Sequence, residues 1–217
     1  ADDFGVNKEG ILTASLTLPA ESYPDSAARL LVMDRVQREL AAIPGVASAS
    51  ISSALPGLGT GNYWYGVQGR EYANDGEYAF AGMTTVTPEF FDALDVTLLA
   101  GRPFDSRDAV GSELVVIVDQ RFVERNWPDE DPLGKQVRTG RSDTESAWMT
   151  VVGVVPTIAM AQPTNFGGQP PEGMFVPGTQ NPLSGFIVML RSAVGDPLAL
   201  APQLRDIVAR IDADVPV

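Results

Sequence analysis

The order of hydrophobic and polar residues predicts a strand, a helix and a second strand at the start of the chain. Residues 11–18 alternate with a period of two, which indicates a half-buried strand ended by Pro19. Asp25 or Ser26 then begins a helix that runs to about Ile43. Residues 46–54 alternate again, so the first ~55 residues form a unit long enough for a crossover connection. The apolar stripe of the helix consists of Met33, Val36, Leu40 and Ile43.

The middle of the chain is predicted to be rich in strands with short helices between them. Thr87-Pro88-Glu89 has the features of a helix start, with a Thr cap and Pro at the first helical position. A second short helix places Phe122, Val123 and Trp127 on one side. Residues 129–135 are predicted to form a turn, and residues 156–173, rich in Gly and Pro, an irregular segment. Strands are predicted at 79–86, 96–99, 114–118, 148–155 and 174–176.

The C-terminal end repeats the strand-then-helix pattern of the N-terminal end. Residues 186–190 indicate a strand, and Asp196-Pro197 begin a helix with one apolar face. The patterns together predict an α+β fold. In this fold an αβ subdomain, residues 1–56 plus 185–217, is interrupted by an inserted β-rich lobe, residues 57–184.

Composition excludes several kinds of chemistry. The 217 residues include no Cys and no His, so there is no disulfide, thiolate zinc site, cysteine nucleophile or Ser-His-Asp triad. The 15 basic and 28 acidic residues give a net charge of −13, which argues against a nucleic-acid partner. Wholly apolar runs reach about five residues, far short of the ~20 that a spanning helix needs. Because the chain begins with Ala1, we expect a fragment or a processed product.

Two groups of residues could suggest ligand chemistry. Gly57-x-Gly59-x-Gly61 resembles a phosphate loop, but no helix start or Lys follows it, so a structural glycine loop is the preferred interpretation. Oxygen ligands for Ca²⁺ or Mg²⁺ could come from acidic side chains, but no run matches an EF-hand, and solvated turn carboxylates are preferred. These acids are Asp105, Asp108, Asp129, Glu130 and Asp131.

An aromatic run is the remaining candidate for contact with a ligand or partner. Tyr63, Trp64 and Tyr65 could stack on sugars or bases, although a role in a core or an interface is favoured. Phe90, Phe91 and Trp127 are predicted to be packing residues. No catalytic residue, cofactor site or metal site is predicted. The residues therefore point to a binding, coupling or structural module.

The order of motifs resembles the periplasmic core domain of MacB-type ABC transporter permeases, within the FtsX-like permease superfamily. The resemblance covers nearly the whole chain. Its most recognisable stretch is VTPEFFDALDVTLLAGRPFDSRD, residues 86–108. The other similar stretches are residues 5–25, 44–61, 115–137, 148–155 and 195–217.

Within those stretches, ten residues match the family signature and are expected to be structural. Asp119-Gln120 stands where the family usually has Asn-Glu, and Pro156-Thr157 where it usually has Gly-Asp. Both departures fall in turns, so they affect local loop shape. The ten signature residues are Pro88, Phe90, Phe91, Gly101, Arg102, Trp127, Pro128, Gly134, Lys135 and Gly153.

The resemblance implies a porter-like αβ subdomain and a non-catalytic role outside the bacterial cytoplasmic membrane. ATP would be hydrolysed by a separate cytoplasmic ABC ATPase domain or subunit. The expected partners are the permease's own transmembrane helices, a second permease copy or paralogue, and in some members a periplasmic adaptor. Residues 215–217 would lie near the start of a further strand leading back to the membrane. The alternative is an extracytoplasmic ligand-binding receptor module, with its site formed by residues 63–65 and 156–173.

Overall fold

The computed structural model describes residues 4–144, 146–161, 171–193 and 195–212. Short 3₁₀ turns at Asp75–Glu77 and Pro197–Leu200 supplement the main elements. The helices are α1 (Ser26–Ala41), α2 (Phe90–Ala93), α3 (Gln120–Asn126) and α4 (Ala201–Ile211). The strands are β1 (Ile11–Thr17), β2 (Val46–Ser52), β3 (Gly61–Val67), β4 (Ala79–Val86), β5 (Ala100–Gly101), β6 (Val115–Asp119), β7 (Gln136–Thr139), β8 (Met149–Val155), β9 (Glu172–Pro177) and β10 (Gly185–Ser192).

The first layer is a three-stranded sheet covered by two helices. β10 lies between β1 and β2 and is antiparallel to both. α1 and α4 bury their apolar stripes against one face of this sheet, where Leu40, Ile51 and Val188 are at most 1% exposed. α1 begins at Asp25, whose Oδ1 accepts a hydrogen bond from the Ala28 N–H at 2.8 Å. The predicted strand–helix–strand unit is therefore present, with the crossover passing over β10.

The second layer is a closed barrel of six strands. The pairings run β4–β3–β7–β8–β6–β9 and return from β9 to β4, so no edge among these strands is left open. Side chains from all six strands meet in one core cluster, to which α3 adds Phe122. β6 is buried on both sides. Val116 and Val118 face that cluster, while Val115 and Ile117 face a second core cluster, to which α2 also contributes.

A short seam joins the barrel to the three-stranded sheet. β2 and β4 share one ladder pair, Ser52 with Val86. Next to it, the Thr87 hydroxyl accepts a hydrogen bond from the Ile51 N–H at 3.0 Å. α2 fills the space behind the seam, and Phe90, Phe91 and Phe175 pack there with ring centroids 5.2 to 6.1 Å apart. The two layers therefore share a hydrophobic core as well as a sheet.

The structure confirms the α+β class and corrects several local predictions. Thr87 does not cap α2, because its hydroxyl bonds to β2 instead, and the residue before α2 makes no side-chain cap. Residues 96–99 are not a strand; the strand there is β5, which pairs with β8. β7 was not predicted. The predicted irregular segment at 156–173 and the predicted strand start at 215–217 lie partly or wholly outside the described residues.

No helix within the described ranges combines the length and the apolar character that crossing a bilayer requires.

Candidate functional site

A cleft of about 450 Å³ lies between α1 and residues 86–108, which we call the signature stretch. Leu30, Met33 and Gln37 line the α1 side of the cleft. The opposite side is formed by the turn before α2, by the loop after β5 and by the loop after β9. These opposing residues are Thr87, Pro88, Glu89, Phe104, Asp105, Ser106, Gly178 and Thr179. The cleft thus brings together elements of both layers, and any change in their separation changes its width.

An ion-pair network holds the wall of the cleft that follows β5. Both terminal nitrogens of the Arg102 guanidinium donate to the Asp108 carboxylate at 2.8 Å, and Asp108 is 2% exposed. The Asp105 N–H and the Arg102 guanidinium hold the pKa of Asp108 below its usual range, the guanidinium more strongly. Asp105 is paired with Arg107, whose hydrogen bonds lower the pKa of Asp105. The hydroxyl of Thr179, just after β9, donates a hydrogen bond to the Asp108 carbonyl and so connects the loop after β5 to β9.

Two residues that border this cleft each have a buried side-chain oxygen that accepts no hydrogen bond within the described structure. Gln37 donates through Nε2 to the carbonyl of Ala49 on β2, which fixes its amide with Oε1 directed away from that carbonyl. Gln37 Oε1 and Glu89 Oε2 are both buried and without a partner. Buried polar atoms normally have a hydrogen-bond partner, because a buried polar atom without one lowers stability by about 1–3 kcal/mol. Both oxygens are closed to solvent, so they lie beneath the surface of the cleft.

A second cluster anchors the N-terminal segment, residues 4–9, to the rest of the fold. We call this cluster the Arg191 anchor. The Arg191 guanidinium at the end of β10 donates to the carbonyls of Asn7, Glu9 and Ala93, each at 2.8 Å. The Asn7 N–H donates to the Leu94 carbonyl at 3.1 Å, and the Ala159 N–H to the Phe4 carbonyl at 3.1 Å. Residues 4–9 are thus tied to β10, to the end of α2 and to the segment after β8.

The aromatic run divides between the inside and the outside of the barrel. Tyr65 is buried, its hydroxyl accepts a hydrogen bond from Asn126 Nδ2, and burial raises its pKa to about 12. Tyr63 and Trp64 are 44% and 39% exposed, and the Arg141 guanidinium lies 4.2 Å above the Trp64 ring. The three residues are therefore not brought together into one surface, and the run does not border the cleft.

The signature residues occupy three kinds of position. Pro88 borders the cleft directly, while Phe90 and Phe91 are buried behind it and Trp127 is buried with Phe122. Gly101 and Gly153 face each other where β5 pairs with β8, at a close backbone approach. Three of the ten lie in or beside turns. Pro128 begins the turn after α3, Gly134 has a φ of +81°, and Lys135 pairs with Glu130.

The glycine loop and four of the five candidate acidic residues have structural partners. The amides of Gly57 and Gly59 donate to the carbonyls of Ala159 and Met160, so they are not free to hold a phosphate. Asp131 accepts from the Leu133 N–H in its own turn at 3.0 Å. In the described part of the chain, His, Cys, Asp and Glu form no group of three that could hold a metal ion. The preference for a structural glycine loop is confirmed.

The sequence analysis did not identify Gln37, Glu89 or Arg191 as site residues. Gln37 carries a weak signal, since it lies four residues after Met33 and so continues the apolar stripe of α1 with a polar side chain. Arg191 ends an apolar strand, a position that is common and carries no specific signal. Glu89 carries no specific signal, because acidic residues are common in the first turn of a helix. The hydrogen-bond partners of Arg191 also lie far away in the sequence, since Asn7 is 184 residues from it.

Comparisons with known proteins agree with this arrangement. The chain is similar to the periplasmic region of MacB from Actinobacillus actinomycetemcomitans, with a TM-score of 0.61, 15% identity and coverage of 99% of this chain and 91% of that one. It is also similar to the extracellular domain of the noncanonic ABC-type transporter YknZ from Gram-positive bacteria, with a TM-score of 0.56, 16% identity and coverage of 94% of each chain. At these identities the likeness shows the fold.

Sequence comparison gives the family. The macrolide export ATP-binding/permease proteins MacB of Neisseria gonorrhoeae and Neisseria meningitidis are 32% identical over 75 residues, which is 35% of this chain and 11% of those proteins. The chain thus spans about a tenth of the length of these relatives. The model of the MacB-like periplasmic core domain matches residues 6–209, nearly the whole chain. The chain therefore belongs to the family of MacB-like periplasmic core domains of ABC transporter permeases.

Proposed function

We propose that this domain couples ATP hydrolysis on the cytoplasmic side of the bacterial membrane to a conformational change on the periplasmic side. The motion would drive export or control a partner protein. Transmembrane helices of the same permease would carry the motion, and a cytoplasmic ABC ATPase domain or subunit would drive it. A second permease copy or paralogue would complete the transporter, with a periplasmic adaptor in some assemblies. The domain itself would bind no nucleotide and catalyse no reaction.

The observation that carries this proposal is the Arg191 anchor. We propose that residues 4–9 carry the motion of a transmembrane helix to the domain, which requires them to be fixed firmly to the elements that move. Residues 4–9 are held by three guanidinium hydrogen bonds and by backbone hydrogen bonds to Leu94 and from Ala159. Because these partners lie on β10, near α2 and after β8, a pull on residues 4–9 would act on both layers at once.

The test uses the full permease with its ATPase in lipid nanodiscs. A Cys would replace Leu31, which is 72% exposed on α1, in a permease from which any cysteines outside this cysteine-free chain have been removed, and it would give one spin label per permease copy. We expect the distance between labels in the two copies to differ between the nucleotide-free and the ATP-bound transporter. An unchanged distance distribution in all nucleotide states would contradict the coupling function.

Replacing Arg191 by Ala should uncouple the domain in the same assay. We expect the nucleotide-dependent distance change to shrink to less than about half while ATP hydrolysis continues, since the anchor would lose three charge-assisted hydrogen bonds, each with a net value of about 1.5–3 kcal/mol. Arg38→Ala is the matched control, because the side chain of Arg38 pairs, among the described residues, only with the exposed Asp34 on α1. Equal distance changes in both variants would show that the anchor does not transmit the motion.

A ligand-binding receptor module remains the second candidate, favoured by the cleft. The site would then be formed by α1 and the signature stretch, in place of residues 63–65 and 156–173. Binding of a ligand to the domain without nucleotide, together with a distance between labels that does not depend on ATP, would support this candidate over coupling.

A further inference from the structure

We propose that a pocket beside the Arg191 anchor binds a medium-chain carboxylate, with the alkyl chain inside the pocket and the carboxylate at Lys8. The pocket has a volume of about 170 Å³ and shares no lining residue with the cleft. This proposal does not depend on coupling, because the chain alone would bind such a ligand. Failure of either proposal would therefore leave the other standing.

The pocket lies on the face of the three-stranded sheet opposite to α1 and α4. Ile11 of β1 and Met189 of β10 form its floor, and Leu94 at the end of α2 lies beside them. The loop after β2 supplies the facing wall through Leu55 and Leu58. The pocket is thus an apolar recess between the sheet, this loop and the N-terminal segment.

The pocket is open to solvent and has room for a narrow apolar group. Lys8, Thr13 and Leu58 are exposed members of its lining, so a ligand can enter from solution. Among the described residues that line it, all except Lys8 and Thr13 are apolar. Its volume is below the about 300–1,000 Å³ of sites that hold drug-sized ligands, which favours a single unbranched chain.

Two cations beside the pocket have no carboxylate partner among the described residues. The Arg191 guanidinium binds the carbonyls of Asn7 and Glu9, the residues on either side of Lys8. The Lys8 ammonium lies 3.5 Å from the centre of the Phe4 ring. The Glu9 carboxylate forms an ion pair with neither cation. Carbonyls and an aromatic ring do not cancel a charge, so two positive groups stay next to each other in a chain with a net charge of −13.

The placement of Lys8 favours an anion that carries an alkyl chain. The Phe4 ring below the ammonium packs against Gly57, where a Cβ would lie 2.7 Å from the ring. This contact holds the ammonium beside the loop wall of the pocket. A carboxylate there would accept a charge-assisted hydrogen bond from Lys8 while its chain is buried against Ile11 and Leu55. An inorganic anion would gain only the first of these two contributions.

The probe is octanoate, titrated into the chain with ¹³C-labelled methyl groups while Leu58 and Met189 are followed by NMR. We expect saturable shifts at both residues. Butanoate should bind at least about tenfold more weakly, because each buried methylene group strengthens binding about fourfold. Octanamide, which has the same chain without the charge, should also bind about tenfold more weakly. Equal affinity for octanoate and octanamide, or no saturable shift up to about 10 mM octanoate, would overturn the proposal.

Two pairs of variants assign the contacts. Lys8→Gln should weaken octanoate binding about tenfold, while Lys135→Gln, at the other lysine of the chain and outside the pocket, should leave it unchanged. Leu58→Ala should weaken binding about fivefold, while Leu198→Ala, at another exposed leucine, should have no effect. Equal effects within either pair would mean nonspecific association and would overturn the site.

Two further probes test the charge and the source of the ligand. Octylammonium that binds as tightly as octanoate would overturn the preference for an anion. Vesicles of phosphatidylglycerol that bind the chain through Lys8, while octanoate gives no shift, would make a bilayer lipid the ligand and would overturn the proposal of a free carboxylate.

Discussion

Substitution of Gly101 by Ala is expected to lower the free energy of unfolding by about 4 kcal/mol. Gly101 has a φ of +75°, and a Cβ there would lie 2.2 Å from the Val152 carbonyl oxygen and 2.8 Å from Gly153 Cα. Both of these atoms belong to the backbone of β8, so rotation of a side chain cannot relieve the close contact. The strand must shift instead, which breaks the pairing of β5 with β8 and the hydrogen bond from the Arg102 N–H to the Val152 carbonyl.

Gly134→Ala separates the cost of the contact from the cost of the backbone conformation. Gly134 has a φ of +81°, and nothing lies within 4 Å of a Cβ built there. This variant should lose only the ~1 kcal/mol that a left-handed conformation costs a residue with a side chain. Urea unfolding of both variants measures the difference, which we expect to be ~3 kcal/mol. Equal losses would mean that β5 and β8 separate easily at this point.

The position of Gly101 also matters for the cleft. Arg102 follows it directly and holds Asp108, and this pair keeps the loop of Phe104 and Asp105 in place. A shift of β5 would therefore loosen one wall of the cleft. The sequence marks Gly101 only as a signature residue, whereas its requirement for glycine comes from a strand about 50 positions later in the chain.

Local patterns predicted the elements whose periodicity reflects their own burial. β4 has the predicted bounds, and α1 begins at Asp25 as expected. β6 was recognised as a strand buried on both sides because apolar residues fill every position of residues 114–118. In each case the information lies within the element itself, and tertiary contacts reinforce it.

Contacts between distant segments explain what the sequence did not predict. β7 has only four residues and owes its strand form to pairing with β3 and β8. Thr87 has the composition of a helix cap, but its hydroxyl bonds to β2. Barrel closure depends on β9 returning to β4, and no local pattern encodes that pairing. The cleft and the Arg191 anchor likewise combine residues from segments far apart in the chain. The division into an αβ subdomain and an inserted lobe stays a prediction.

Asp119 offers a prediction about pH. Its carboxyl group is fully buried at the start of α3, where Oδ1 accepts from the Phe122 N–H at 2.9 Å and Oδ2 has no partner. Burial raises its pKa to about 7, and the hydrogen bond from the Phe122 N–H offsets only part of this rise. The protein therefore binds more protons at this site when folded than when unfolded, between about pH 4 and pH 7.

The sign of the effect follows from that difference in bound protons. The contribution of Asp119 to stability is fully present below the unfolded pKa near 4 and is lost as the pH rises towards about 7. Asn keeps the same shape and caps helices as well as Asp, without a charge to bury. Asp119→Asn should therefore raise the free energy of unfolding by ~4 kcal/mol at pH 8, and this gain should fall to ~1 kcal/mol at pH 4.5.

The matched control is Asp25→Asn, at the exposed cap of α1. Asp25 and Asp119 make the same kind of hydrogen bond to an amide three residues later, and they differ in burial. The control should change stability by less than ~0.5 kcal/mol at either pH, because Asn and Asp are about equal as caps. Urea unfolding at both pH values gives all four differences. A gain from Asp119→Asn that does not vary with pH would mean that Asp119 keeps one charge state throughout. In that case burial would not shift its titration, and proton uptake at the start of α3 could not link the stability of the barrel to the pH around it.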